Sequence, residues 1–113
     1  MSGYEPAKLL ALREALGAAS AMLRNDPHSG WLAFFNDAFT ECDALCSAEG
    51  PEPQRVSELS RRILRAYSGS GSLADYAPVV STSEPPGFRL RPGMEDWDEV
   101  SDDVHKLAVA LAG

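Results

Sequence analysis

Residues 61–76, RRILRAYSGSGSLADY, constrain this chain more than any other stretch. An amphipathic helix runs into the tract Ser68-Gly69-Ser70-Gly71-Ser72 and emerges as a short aromatic segment ending at Tyr76. Glycine enters the left-handed backbone region without steric cost, so Gly69 or Gly71 is expected to close the helix and turn the chain away from it. Ser72 followed three residues later by Asp75 fits the acidic form of a capping box, which predicts a helical turn over Leu73–Tyr76. A phosphate-binding loop needs a Gly-Lys-Ser/Thr sequence that opens a helix after a strand. This tract follows a helix and carries no lysine, so nucleotide binding is not its reading.

Three further amphipathic stretches surround it. The first is expected to start near Pro6, a favourable first-turn residue, and to present Leu9, Leu12, Leu16, Ala19 and Leu23 on one face, widened by Leu10 and Met22. It stops before Asn25-Asp26-Pro27, because proline disfavours helix at the residue before it. The second runs from Trp31 to about Ala48 with Trp31, Leu32, Phe34, Phe35, Ala38, Phe39, Cys42, Leu45 and Cys46 apolar. A helix apolar over that much of its circumference is expected to be central, contacted on more than one side. Glu49-Gly50-Pro51-Glu52-Pro53 ends it and opens the third, whose stripe is Val56, Leu59, Ile63 and Tyr67. Arg55, Arg61, Arg62 and Arg65 decorate that helix, with Glu58 expected to pair to Arg62 at i,i+4.

Residues 77–93 lose the helical period. Val79-Val80 and Phe88–Leu90 read as short extended pieces flanking a Pro85-Pro86-Gly87 turn. A last helix, from about Met94 to Ala112, has the seam Trp97, Val100, Val104, Leu107 and Leu111. These signals predict an all-α fold: a bundle of four main helices in one domain over 1–113, with an irregular Pro/Gly-rich arm before the last helix.

At 113 residues, 44% hydrophobic and 24% charged, the chain has the size and composition of one folded domain. Its net charge of −7 argues against nucleic acid and anionic membrane as partners, since both demand a positive field. No apolar run approaches the roughly 20 residues of a membrane span. Glu5, Arg13 and Glu14 break up the first apolar segment, so a cytoplasmic protein without a leader is expected.

Cys42 and Cys46 lie on one helix face and read as reduced, buried thiols; His28 and His105 stand at no metal-ligand spacing to them. No spacing marks a nucleophile, a base or a calcium loop. The expectation is therefore a non-enzyme with no cofactor and no metal.

Charge is concentrated at one end of the sequence. Residues 95–113 hold six acids and one lysine, a net −5 of the chain's −7. Glu95, Asp96 and Asp98 are expected in the first turn of the last helix, where the dipole favours acids, and Asp102 is placed to pair with Lys106. Glu99 and Asp103, four apart and like-charged, lack that explanation. Glu95, Asp98, Glu99, Asp102 and Asp103 are thus the candidate contacts to a basic protein partner.

The run Tyr67 to Tyr76 resembles the signature Tyr-Gly-Gly-Met-Gly-Ser-Phe-Asn-Asp-Leu of a family of small bacterial proteins, in which a tryptophan-bearing helix like Trp31–Phe39 precedes it. Tyr67, Gly69, Gly71, Ser72 and Asp75 match; Ser68, Ser70, Leu73, Ala74 and Tyr76 depart. The resemblance covers roughly Leu9 to Tyr76 and implies, by type, an immunity protein (an antitoxin) that binds a cognate toxin and occludes its active face. An adaptor or regulatory subunit for another protein is the alternative. A small-molecule binder or enzyme using the aromatic second helix is the third.

Overall fold

The computed structural model describes residues 6–26, 29–48, 52–68, 76, 79–81, 83, 85 and 87–112. Four helices carry the fold: α1 (Pro6–Leu23), α2 (Trp31–Ser47), α3 (Pro53–Ala66) and α4 (Trp97–Ala112). Two short strands, β1 (Val79–Ser81) and β2 (Phe88–Leu90), lie between α3 and α4 and pair antiparallel, with Val79 opposite Leu90 and Ser81 opposite Phe88. The architecture is an all-α bundle, and the arm read as irregular contains a small hairpin.

The helices form a closed ring in which α1 packs on α2 and α4, and α3 on α4 and α2. Side-chain bonds fix their directions. Cys42 Sγ lies 3.6 Å from the carbonyl of Leu9, while Ser20 Oγ donates to Asn36 Oδ1, so the start of α1 meets the end of α2. Ser57 Oγ donates to the Ala112 carbonyl at 3.0 Å and Tyr67 Oη to the Ser101 carbonyl at 2.9 Å, so α3 and α4 are also antiparallel. An up-down-up-down bundle follows: the connections from α1 to α2 and from α2 to α3 are short, and the long arm returns α4 antiparallel to α3.

The core is the meeting of four stripes. Leu9, Leu12, Leu16, Ala19 and Leu23 of α1 are buried as their spacing predicts. Leu10 is not part of it: at 47% exposed it points to solvent, because α2 and α4 flank the Leu12–Leu16 line and leave its side uncovered. Helix α2 contributes Phe35, Ala38, Cys42 and Leu45; α3 contributes Val56, Leu59, Ser60 and Ile63. No helix of the ring is central. The broad apolar surface of α2 is met by α1 on one side and α3 on the other, with Trp31, Phe34 and Phe39 half-buried at its margins. Each fully buried leucine or phenylalanine adds about 1.5–3 kcal/mol of transfer free energy.

Gly17 of α1 faces Phe39 of α2. A Cβ there would stand 3.2 Å from Cε1 of Phe39, so the ring would have to shift by a few tenths of an ångström.

Several local expectations change in three dimensions. Arg62 does not pair with Glu58. Its Nη1 reaches across to Glu41 of α2 at 3.1 Å, and Glu58 accepts instead from Gln54. Helix α4 begins at Trp97, three residues later than its acidic lead-in suggested; Met94 to Asp96 form a turn, with Met94 N donating to the Arg91 carbonyl and Met94 wholly buried. In its seam Ala108 is buried and Leu107 only half-buried. Gly69, Gly71 and the proposed capping pair Ser72 and Asp75 lie outside the described residues, as does His28; Tyr76, which is described, belongs to no helix.

Candidate functional site: an acidic helix face beside an aromatic cleft

The arm is tied to the end of α1, and that tie positions the site. Asp26, just past α1, accepts a hydrogen bond from Tyr76 Oη at 2.5 Å and lies 3.6 Å from Arg91 Nε. Its side chain is 14% exposed. Burial is the larger reason that the Tyr76 phenol is pushed well above its usual range, and the carboxylate it donates to adds to the shift. Asn25 Nδ2 donates to the Met22 carbonyl and, at 3.4 Å, to that of Gly93. Gly93 has φ +90, a conformation glycine adopts freely, and a Cβ there would collide with the Asn25 amide.

Held this way, Tyr76 stands edge-on to Trp97, ring centroids 5.4 Å apart. Trp97 meets Phe35 at 5.8 Å, Phe35 meets Phe34 at 5.4 Å and Phe34 meets Trp31 at 5.7 Å, all close to perpendicular. Such edge-to-face pairs add about 0.5–1.5 kcal/mol each beyond area burial. A continuous aromatic chain thus runs from α2 through the start of α4 to the arm. Of the second helix's aromatics, one candidate for a ligand pocket, Trp31, Phe34 and Phe35 take part in this packing, with Phe35 fully buried.

Beside the chain's outer end lies an open cleft of about 340 Å³, lined by Tyr67, Tyr76, Trp97, Asp98, Ser101, Asp102 and His105. Tyr67, at the end of α3, donates to the Ser101 carbonyl; with that proton committed, the Ser101 hydroxyl 3.0 Å away is the donor to Tyr67 Oη. Burial raises the Tyr67 phenol above its ordinary range. The ring of His105 sits 4.9 Å from that of Tyr67. Asp98 and Asp102, one turn apart on α4, form the acidic wall.

All five acids singled out from sequence are exposed. They do not form one cluster. Asp98 and Asp102 line the cleft, whereas Glu95, Glu99 and Asp103 do not. Glu95 lies before α4 and accepts from Gly93 N at 2.9 Å, while Asp98 and Glu99 occupy the first turn. Glu99 therefore does gain support from the helix dipole, contrary to the sequence reading. Glu95 and Asp96, expected in the first turn, precede α4; within the helix itself Asp103 is the acid with neither an ion-pair partner among the described residues nor a first-turn position. Lys106 pairs with Asp102 at 2.8 Å as expected.

Sequence reasoning missed Tyr67, Tyr76 and His105 as site residues. Tyr67 and His105 each read as part of a helix, and only the antiparallel docking of α3 on α4 brings them together.

Cys42 and Cys46 are free thiols that share the Leu9 carbonyl, at 3.6 and 3.8 Å. Desolvation, then the neighbouring Cys46, pushes the Cys42 thiol up to about 12. A thiol so raised is protonated and unreactive. Among the described residues no group of three or more His, Cys, Asp or Glu side chains is arranged to hold a metal ion, and no helix is long and apolar enough to cross a membrane. In comparisons with known protein families, curated proteins and solved structures, nothing matches this chain.

Proposed function

We propose that this chain is an immunity-type protein: in the cytoplasm of the producing cell it binds a cognate toxin with a basic surface and neutralises it by occluding the toxin's active face, with no chemistry, cofactor or metal of its own. One observation carries the reading. Six acids against a single lysine lie on or just before the exposed face of α4, and Glu95, Asp98, Glu99, Asp102 and Asp103 all stand in solvent. Charge complementarity of this kind chiefly raises association rates and makes them salt-dependent, which suits an inhibitor that must capture its target quickly. The toxin class of the partner comes from the resemblance of the Tyr67–Tyr76 run.

The test has two stages. The tagged protein is recovered from its own cell, and whatever co-purifies is identified and expressed with and without this chain. A basic protein that is toxic alone and tolerated in co-expression is the expected result. A captured protein that is harmless alone turns the reading toward an adaptor or regulatory subunit. With the partner in hand, Glu99→Lys combined with Asp103→Lys should slow association and flatten its salt dependence while the fold survives. Unchanged association kinetics at low salt would remove α4 from the interface.

A further inference from the structure

We infer that the cleft between the end of α3 and the start of α4 is a socket for a guanidinium group, filled by an arginine side chain of the basic partner. The inference rests on the protein-binding reading above and gives it a specific anchor. Three kinds of wall converge on the cleft: the half-buried rings of Tyr67 and Tyr76 above a buried Trp97 floor, the imidazole of His105, and the carboxylates of Asp98 and Asp102. Aromatic walls joined to carboxylates favour a cation that can lie against rings and accept two-pronged pairing. Guanidinium does both: it is planar, weakly hydrated, stacks on aromatic faces and matches a carboxylate through its fork. A metal ion does not fit, because Asp98, Asp102 and His105 do not converge as ligands. A neutral organic molecule would leave the carboxylates without a complement. The volume of about 340 Å³ stands at the low end of small-molecule clefts, which suits one side chain.

The carboxylates are available. Among the described residues Asp98 makes no ion pair and Asp102 pairs only with Lys106, in a pair whose members are 58% and 71% exposed. An exposed pair of that kind contributes little and exchanges readily for a better-placed cation. The aromatic walls, by contrast, are fixed in advance. Trp97 is 2% exposed and locked into the core, Tyr76 is tied to Asp26, and Tyr67 is tied to Ser101. A socket organised before binding avoids the entropic cost of ordering its own side chains.

The probe is acetyl-Gly-Arg-Gly-amide, compared with its citrulline counterpart, which has nearly the same shape and no charge. In a Trp31→Phe variant, Trp97 provides the sole indole N–H resonance, and titration follows it by NMR. The arginine peptide should shift it saturably and the citrulline peptide should not. Asp98→Asn should weaken the arginine peptide about threefold or more. Asp37→Asn, an exposed change of equal charge on α2, should leave it unaltered. Tyr67→Phe should retain binding and Tyr67→Leu should lose it, which separates a ring contact from a hydroxyl role.

Equal response to both peptides, or an unchanged affinity in Asp98→Asn, overturns the socket. The two readings also fail separately. A basic partner that depends on Glu99 and Asp103 but ignores Asp98→Asn overturns the socket and leaves the acidic face standing. Selective arginine-peptide binding with no basic protein captured from the cell supports the socket's chemistry and overturns the immunity reading.

Discussion

Removing the Asp26 carboxylate should loosen the arm and the aromatic cleft together. Asp26→Asn keeps the side-chain shape but takes away the charge that accepts from Tyr76 Oη at 2.5 Å and faces Arg91 Nε at 3.6 Å. A hydrogen bond to a charged group contributes about 1.5–3 kcal/mol net. The Arg91 contact adds at most about 1 kcal/mol, since that side chain is 37% exposed and solvent screens it. The expected loss is therefore about 2–4 kcal/mol, a substantial part of the roughly 5–15 kcal/mol that holds a domain folded. With an unfolding entropy of about 2.1 cal/mol/K per residue, a 3 kcal/mol loss in a chain of 113 residues lowers Tm by roughly 13 °C. Tyr76→Phe keeps the ring against Trp97 and removes only the hydroxyl, so it should cost less, about 1–2 kcal/mol. Because Tyr76→Phe removes the bond whose charge Asp26→Asn takes away, the double variant should be more stable than the sum of the single losses predicts, by about 1–2 kcal/mol. Urea unfolding followed by circular dichroism measures all four proteins on one scale, with m-values checked for constancy. A coupling below about 0.5 kcal/mol would refute the argument, because it would mean that the Tyr76 hydroxyl is satisfied by water as well as by Asp26.

Two further outcomes follow from other parts of the molecule. Gly93→Ala should cost about 1–3 kcal/mol in the same assay, since it combines positive φ with a collision against the Asn25 amide; stability equal to wild type would show that this turn can re-form without glycine. The Cys42 thiol, raised in the folded state to about 12, stabilises fully below the unfolded thiol pKa and loses that contribution as pH climbs toward 12, at about 1.4 kcal/mol per proton per pH unit. Cys42→Ala should remove the part of the alkaline decline that begins near the ordinary thiol range; an identical pH profile in the variant would refute the assignment.

The helices were legible in the sequence because each rule that defines them is local. Pro6 and Pro53 open α1 and α3, and the spacing of Leu9, Leu12, Leu16, Ala19 and Leu23 marks a buried stripe whatever packs against it. That four such stripes must close on one another follows from their need to leave water, so the all-α bundle was determined by the chain alone. The concentration of acid in α4 was equally plain, being a matter of composition. What local rules could not supply was which surface faces which. Leu10 carries the same hydrophobicity as Leu9, and only the positions of α2 and α4 leave it at 47% exposure. Arg62 had a suitable glutamate one turn away, yet the approach of α2 offers Glu41 instead. Asp26 and Tyr76 are separated by 50 residues, and Tyr67 and Ser101 by 34; the contacts that shape the cleft span distances over which sequence periodicity carries no information. The sequence therefore determined the elements and the sign of the charged face, while the tertiary structure alone decided where rings and carboxylates meet, because that depends on docking angles set by the whole core at once.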